Sequence, residues 1–175
     1  MNSSQQSTLQ EFTLEDETFM RQALDLAKKA AIMGEVPVGA VLVSDGKVIG
    51  LGWNLRETKQ SALEHAEIMA IKEASVKTKA WRLGGAKLYV TLEPCLMCAG
   101  AIYQARIKEV VFGATDPKAG ACGSLYKIHE DTRLNHRFLV KNGLLAGECG
   151  EVLKAFFRQR RQSSTTTSSD DDNNI

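Results

Sequence analysis

From Phe19 onward, apolar residues return every three or four positions, at Phe19, Met20, Ala23, Leu24, Ala27, Ala30 and Ala31. That is the period of a helix with one buried stripe. Thr13, with Glu15 and Asp16 behind it, supplies a start signal and Gly34 a stop, so the spacing predicts a helix that runs to about Met33. The period then changes. VGAVLVSDGKVIGLGWN contains two β-rich runs joined at Asp45-Gly46, a dipeptide that tolerates positive φ, and predicts an antiparallel hairpin. Ser61-Ala62-Leu63-Glu64 reads as a capping box with Ser61 at the N-cap and a helix through about Val76. Two strand-then-helix units follow: AKLYVTL leads into a cysteine-bearing helix, and KEVVFGA leads into a long glycine-containing loop. The amphipathic, basic ECGEVLKAFFRQRRQ closes the pattern as a helix. A hairpin followed by alternating strands and helices predicts a mixed sheet covered by helices.

Residues 1–12 and 163–175 are polar and show no apolar periodicity, so the expected organisation is one domain over 13–162 between two disordered tails. A length of 175 residues with 43% hydrophobic content suits one domain with a real core. No apolar run approaches the roughly 20 residues that a membrane helix needs, and the opening MNSSQQSTLQ lacks the basic and apolar regions of a signal peptide. The expectation is a cytoplasmic protein without a membrane segment. The net charge of +1 includes three aspartates in the C-terminal tail, which leaves the body mildly basic and suited to an anionic partner.

The candidate chemistry lies in two short stretches. His65-Ala66-Glu67 opens one predicted helix and Pro94-Cys95-Leu96-Met97-Cys98 opens another, together spelling H-x-E and P-C-x-x-C. By itself C-x-x-C fits a redox dithiol, half of a structural zinc knot, or two ligands of a catalytic metal. A redox role would need a thioredoxin-like context, and a knot would recruit Cys122 or Cys149 as a fourth ligand. One imidazole and two thiolates leave a fourth tetrahedral position for water, and taken together the two motifs favour catalytic zinc. Residues two apart on a helix do not share a lateral face, so His65 and Glu67 converge on one metal only near the helix end. Cys95 and Cys98 share a face in their first turn, where the dipole favours thiolates. Glu67 is then placed to carry protons between water and a leaving group. His129 and His136 have no spacing that ties them to the metal. Cys122, Cys149, Met69 and Met97 read as packing residues.

Beyond these motifs, EVPVGAVLV, GWN, HAEIMAI, TLEPCLMCAGAI, VVFGATDPKAGACGS and FFRQRR together resemble the tRNA-specific adenosine deaminases of bacterial type, within the cytidine deaminase superfamily. The resemblance spans roughly 13–162. It implies a three-layer α/β/α fold around a five-stranded mixed sheet. It also implies one zinc per subunit on His65, Cys95 and Cys98, with Glu67 as the proton carrier. The implied reaction is hydrolytic conversion of adenosine to inosine at the wobble position of a tRNA anticodon. Asn54 and the Ala66 backbone would hold the flipped nucleoside. Asp116 and Lys118 in GATDPKAG match the family's polar loop beside the site, which would grip the single-stranded RNA of the anticodon stem-loop, and Phe157, Arg160 and Arg161 would form an RNA wall. Phe156 and Arg158 belong to the same basic aromatic segment, whose ordinary role would be to dock the last helix and complement its dipole. The family is homodimeric. The chain departs from the family at Ala62-Leu63-Glu64, where Pro-Thr-Ala or similar small residues are expected, and a carboxylate at the pocket rim would alter contacts to flanking nucleotides. Two alternatives stay open: a deaminase of a free base or nucleoside such as guanine or cytidine, and an RNA-binding subunit with structural zinc.

Overall fold

Thr13 opens the first helix. Its hydroxyl accepts from the Asp16 amide at 3.0 Å and the Asp16 carboxylate accepts from the Thr13 amide at 2.9 Å, closing a capping box. The helix α1 (Leu14–Ile32) ends at Met33, with Gly34 in the left-handed region at φ 79°. In the computed structural model, which describes residues 11–166, the hairpin follows as β1 (Gly39–Ser44) and β2 (Lys47–Trp53), with Asp45 and Gly46 both at positive φ. The chain continues through α2 (Arg56–Lys59), α3 (Ala66–Thr78), β3 (Lys87–Leu92), α4 (Leu96–Gln104), β4 (Glu109–Ala114), β5 (Leu139–Asn142) and α5 (Ala146–Thr166). The last helix runs four residues past the expected domain end at 162. The N-terminal tail through residue 10 and the stretch 167–175 lie outside the described residues.

The helix expected from Ser61 begins instead at Ala66, with His65 at its N-cap. Ser61 Oγ accepts from the Leu63 amide at 3.3 Å within a turn, and the Glu64 carboxylate pairs with Lys72 at 2.8 Å instead of capping. Ala62 and Leu63 are exposed whereas Ala66, Ala70 and Ala74 are fully buried, so the helix starts where its residues first reach the sheet. The α2 turn and β5 carry no marked sequence pattern. The four residues of β5 sit at a sheet edge with none buried, so no alternation exposes the strand.

The five strands order as β2-β1-β3-β4-β5. β1 is antiparallel to β2 and β3, while β3, β4 and β5 are parallel, which makes the sheet mixed as expected. Alternation along the strands feeds two cores. Val41, Val43, Tyr89 and Val111 pack with Phe19, Met20 and Leu24 of α1 and Cys149 of α5. Ala40, Leu42, Leu88, Val90, Val110 and Phe112 pack with the alanine stripe of α3 and with Ala99 and Ile102 of α4. The result is three layers, α/β/α. Cys122 and Cys149 are buried as expected, but Met69 and Met97 are only half-buried, since the buried face of α3 is taken by its alanines. That stripe lets α3 lie close on β2: a Cβ at Gly52 would strike the Ala66 carbonyl. The contact sets the height of α3, and with it the position of His65, relative to the sheet. No helix among the described residues is long and apolar enough to cross a membrane.

Candidate active site

Two helix N-termini meet beside the end of β3. His65 is the N-cap of α3 and Cys95 the N-cap of α4, both in extended backbone, and neither side chain caps its own helix. Their donor atoms are turned toward each other instead. Cys95 Sγ lies 3.7 Å and Cys98 Sγ 3.5 Å from His65 Nδ1, and one ligand atom from each residue falls within 4.8 Å of the others. Zinc bound at about 2.3 Å to sulfur and 2.0–2.1 Å to nitrogen at a tetrahedral angle would hold those atoms roughly 3.5 Å apart. The donor set therefore fits zinc in element, number and spacing. Among the described residues this is the one His/Cys/Asp/Glu cluster with such spacing, and neither Cys122 nor Cys149 joins it as a fourth ligand.

The electrostatics follow from two thiols in one small volume. Hydrogen bonds from Cys98 and then His65 hold the Cys95 thiol down at about 3 in spite of its burial. The thiolate at Cys95, together with burial, pushes Cys98 in the opposite direction, and the Cys95 contact raises His65 above its ordinary value. Glu67, in the first turn of α3, is 4% exposed. Burial pushes its carboxyl up to about 7, with its own backbone amide and His65 pulling the other way. A carboxyl near neutrality can both accept and return a proton.

These groups open into a cavity of about 220 Å³ lined by Val36, Val38, Asn54, Arg56, His65, Ala66, Glu67, Leu92, Glu93, Cys95, Asp116 and Ala119. That is smaller than the roughly 300–1,000 Å³ of pockets that take drug-sized ligands, and suits a single small planar group. Asn54 is buried; its amide donates to the Val36 carbonyl at 3.2 Å and its Oδ1 accepts from the Arg56 amide at 3.4 Å. One donor and one lone pair remain for another partner. Ala66 is the first residue of α3, so its N–H has no partner within the helix. Asp116 lines the cavity while Lys118 stands exposed on the loop beyond it. The Glu64 carboxylate is turned back onto Lys72, and none of Ala62, Leu63 and Glu64 is part of the cavity wall.

Phe157, Arg160 and Arg161 do not enter the cavity. With Phe156 and Gln159 they line a separate groove against Ala31 and Gly34 at the end of α1. Phe156 is buried and docks α5, with Phe157 packed edge-on against it at 5.5 Å and exposed, so the two aromatics divide the structural and surface roles. Gly34 of the groove and Val36 of the cavity are two residues apart, which places the groove beside the cavity. His129 and His136 are absent from the cavity lining; His136 Nε2 meets the Ile107 carbonyl at 2.9 Å.

Three residues that shape the cavity were missed from sequence, Arg56 and Glu93 in its lining and Glu35 behind it. Arg56 sits on the unpredicted α2. Glu35 is fully buried and accepts from the Glu57 and Thr58 amides at 3.2 and 2.6 Å, which pins that turn beside Asn54. Glu93 is 2% exposed and gathers the loop after β4. The available signal was a carboxylate next to a strand with no cation nearby in sequence.

The profile of MafB19-like deaminases matches residues 14–161. A tRNA-specific adenosine deaminase of Bacillus subtilis (strain 168) is 52% identical over 145 residues, covering 83% of this chain and 90% of that protein. Another, from Haemophilus influenzae, is 50% identical over 146 residues, covering 83% and 84%. A solved structure from biochemical and structural studies of A-to-I editing by tRNA:A34 deaminases at the wobble position superposes with a TM-score of 0.75 at 44% identity, covering 78% of this chain and 99% of that one. The guanine deaminase structure from Bacillus subtilis is more distant, with a TM-score of 0.56 at 40% identity over 62% of this chain and 69% of that one. With about half of the aligned residues identical over 84–90% of these two curated relatives, the chain belongs to the family of tRNA-specific adenosine deaminases.

Proposed function

We propose that this protein is a zinc-dependent hydrolase that converts adenosine to inosine at the wobble position of a tRNA anticodon and releases ammonia. The observation that carries the reading is the convergence of His65, Cys95 and Cys98 on one point, with the buried carboxyl of Glu67 beside them at the floor of a nucleobase-sized cavity. Half-identity to proteins named for this activity supplies the substrate.

His65, Cys95 and Cys98 would hold one zinc per subunit. Zinc held by three protein ligands lowers the pKa of a water toward neutrality. Glu67 takes a proton from the water that attacks C6 of the purine and delivers a proton to N1. It then takes the proton that remains on the C6 hydroxyl and passes it to the exocyclic amine as the C–N bond breaks, so ammonia leaves and a carbonyl oxygen remains at C6. Asn54, through its remaining donor and acceptor, and the Ala66 amide orient the flipped base. The apolar walls Val36, Val38 and Leu92 exclude water from its faces.

Asp116 at the cavity wall and Lys118 on the loop beyond it meet nucleotides that flank the reacting one, and Phe157, Arg160 and Arg161 form a wall along the groove beside the cavity. The working form is a cytoplasmic homodimer of a deaminase domain spanning about 13–162. The test is product analysis: the purified protein is incubated with an anticodon stem-loop bearing a wobble adenosine, and separately with adenosine, cytidine and guanine. Inosine from the stem-loop alone supports the reading. Product from guanine or cytidine alone moves the substrate to a free base or nucleoside, and zinc-loaded protein with no turnover on any of them points to an RNA-binding subunit.

A further inference from the structure

Glu93 is 2% exposed, and each hydrogen-bonded partner of its carboxylate is an uncharged donor. Oε2 accepts from the Asp116 amide at 3.0 Å and from the Ser124 hydroxyl in a short contact. Oε1 accepts from the Cys122 amide at 3.1 Å and the Ser124 amide at 2.9 Å. A buried carboxylate is costly unless every lone pair finds a donor, and here donors arrive from both ends of one loop. That loop spans 115–127, between β4 and the 3-10 turn at Ile128–Glu130. It is largely exposed and contributes only Gly120, Ala121 and Cys122 to the interior, so packing alone does not fix its shape.

Two further contacts tie the same loop to the start of α4. The Ala121 amide donates to the Pro94 carbonyl at 2.8 Å, and Gly120 bridges to Cys95 in antiparallel fashion. A Cβ at Gly120 would collide with the Glu93 carboxyl group, so the loop passes directly over it. Within the loop, the Asp116 carboxylate accepts from the Lys118 and Ala119 amides at 2.9 and 3.2 Å. Asp116 and Ala119 in turn form one wall of the cavity.

We propose that Glu93 is a positioning residue that holds the 115–124 loop against the cavity, so that one buried carboxylate sets the substrate-facing wall relative to the Cys95 thiol two residues away. The proposal rests on the reading of the cavity as the substrate site. It makes a residue-specific demand on Glu93→Gln. The new amide satisfies the loop best with its oxygen facing Cys122 and Ser124 and its nitrogen facing the Ser124 hydroxyl, which can turn to accept. The Asp116 amide is then left facing a donor, so Asp116 is released first while the far end of the loop stays bound.

The experiment compares zinc-loaded wild type, Glu93→Gln and Gly120→Ala by zinc content, by amide exchange across 114–124, and by steady-state kinetics on an anticodon stem-loop and on free bases. Gly120→Ala displaces the carboxylate without changing its charge and guards against a folding defect peculiar to Glu93→Gln. Expected results are full zinc content, faster exchange at Asp116 in Glu93→Gln, and a KM for the stem-loop raised about tenfold in both variants, with kcat changed by less than about threefold, the scale of one lost hydrogen bond to an ionised group. Unchanged KM, with or without a lower melting temperature, overturns the proposal and leaves Glu93 a purely structural residue. A fall in kcat with KM unchanged, or loss of zinc, also overturns it. If wild type deaminates a free base and no stem-loop, the tRNA reading fails separately; the KM for that base then judges Glu93, since the same loop lines the cavity, and no rise in it overturns the positioning role.

Discussion

Asp16 joins the first helix to the sheet, and replacing it with asparagine tests whether that joint is ionic. The carboxylate is 1% exposed and accepts from the Thr13 amide at 2.9 Å, the Tyr89 hydroxyl at 2.7 Å and Lys87 at 3.2 Å. Lys87 also reaches Glu109 at 3.4 Å, so one ammonium bridges two carboxylates. Burial by itself would raise the Asp16 carboxyl; the hydrogen bonds from Thr13, Tyr89 and Lys87 outweigh it and hold the group at about 2, against an ordinary value of 3.8. At about 1.4 kcal/mol per pH unit, that gap is worth about 2 kcal/mol of folding stability. Because the folded value is depressed, the contribution is fully present above pH 4–5 and is lost as pH falls through the folded value near 2. Urea denaturation of wild type and Asp16→Asn at several pH values from 7 down to 2 reads this directly. The difference between the two proteins at each pH cancels effects common to both, including acid release of zinc. The expected difference is about 2 kcal/mol at pH 7, shrinking toward zero near pH 2. A pH-independent difference would mean that shape and not charge carries the joint, and a difference that grows toward low pH would reverse the sign of the reasoning.

Glu67→Gln should keep its zinc and its melting temperature within a few degrees while kcat falls by about 10²–10⁴, the usual scale of general acid–base catalysis; turnover near the wild-type value would remove the carboxyl from the proton path. Cys98→Ser should lose zinc, measured by chelator competition, together with stability, because coordination and folding are coupled at such sites; full zinc content would mean that the ligand set is wrong. Arg160→Ala with Arg161→Ala should weaken stem-loop binding and reduce its salt slope by about 1–2 without changing zinc content, which binding titrations at several salt concentrations would show. An unchanged slope would assign the groove to packing alone.

The legible parts of this protein were those in which local chemistry and tertiary demand coincide. Thr13 and Asp16 cap α1 with side chains three residues apart, and Asp45-Gly46 closes a turn with its own backbone preferences, so both needed only the chain nearby. Ser61-Ala62-Leu63-Glu64 had the same kind of local signal and failed. The helix there is supported by burial of Ala66, Ala70 and Ala74 against the sheet, and nothing buries Ala62 or Leu63. β5 was invisible because its order comes from backbone pairing with β4, which leaves no mark on side chains that remain exposed.

The candidate donor set was readable from the amino-acid sequence by itself, since imidazole, thiolate and carboxylate chemistry belongs to the residue types and the spacing within each motif is covalent. Bringing two motifs thirty residues apart to one point was a tertiary decision. It is made by the pairing of β1 with β3, by the close seat of α3 over Gly52, and by two helix starts that meet beside the end of β3. The hydrogen-bond partners of Glu35 and Glu93 were decided there as well. A carboxylate acquires its function from the donors that surround it, and for Glu93 those donors come from residues 23–31 positions further along, brought close only when the sheet has formed.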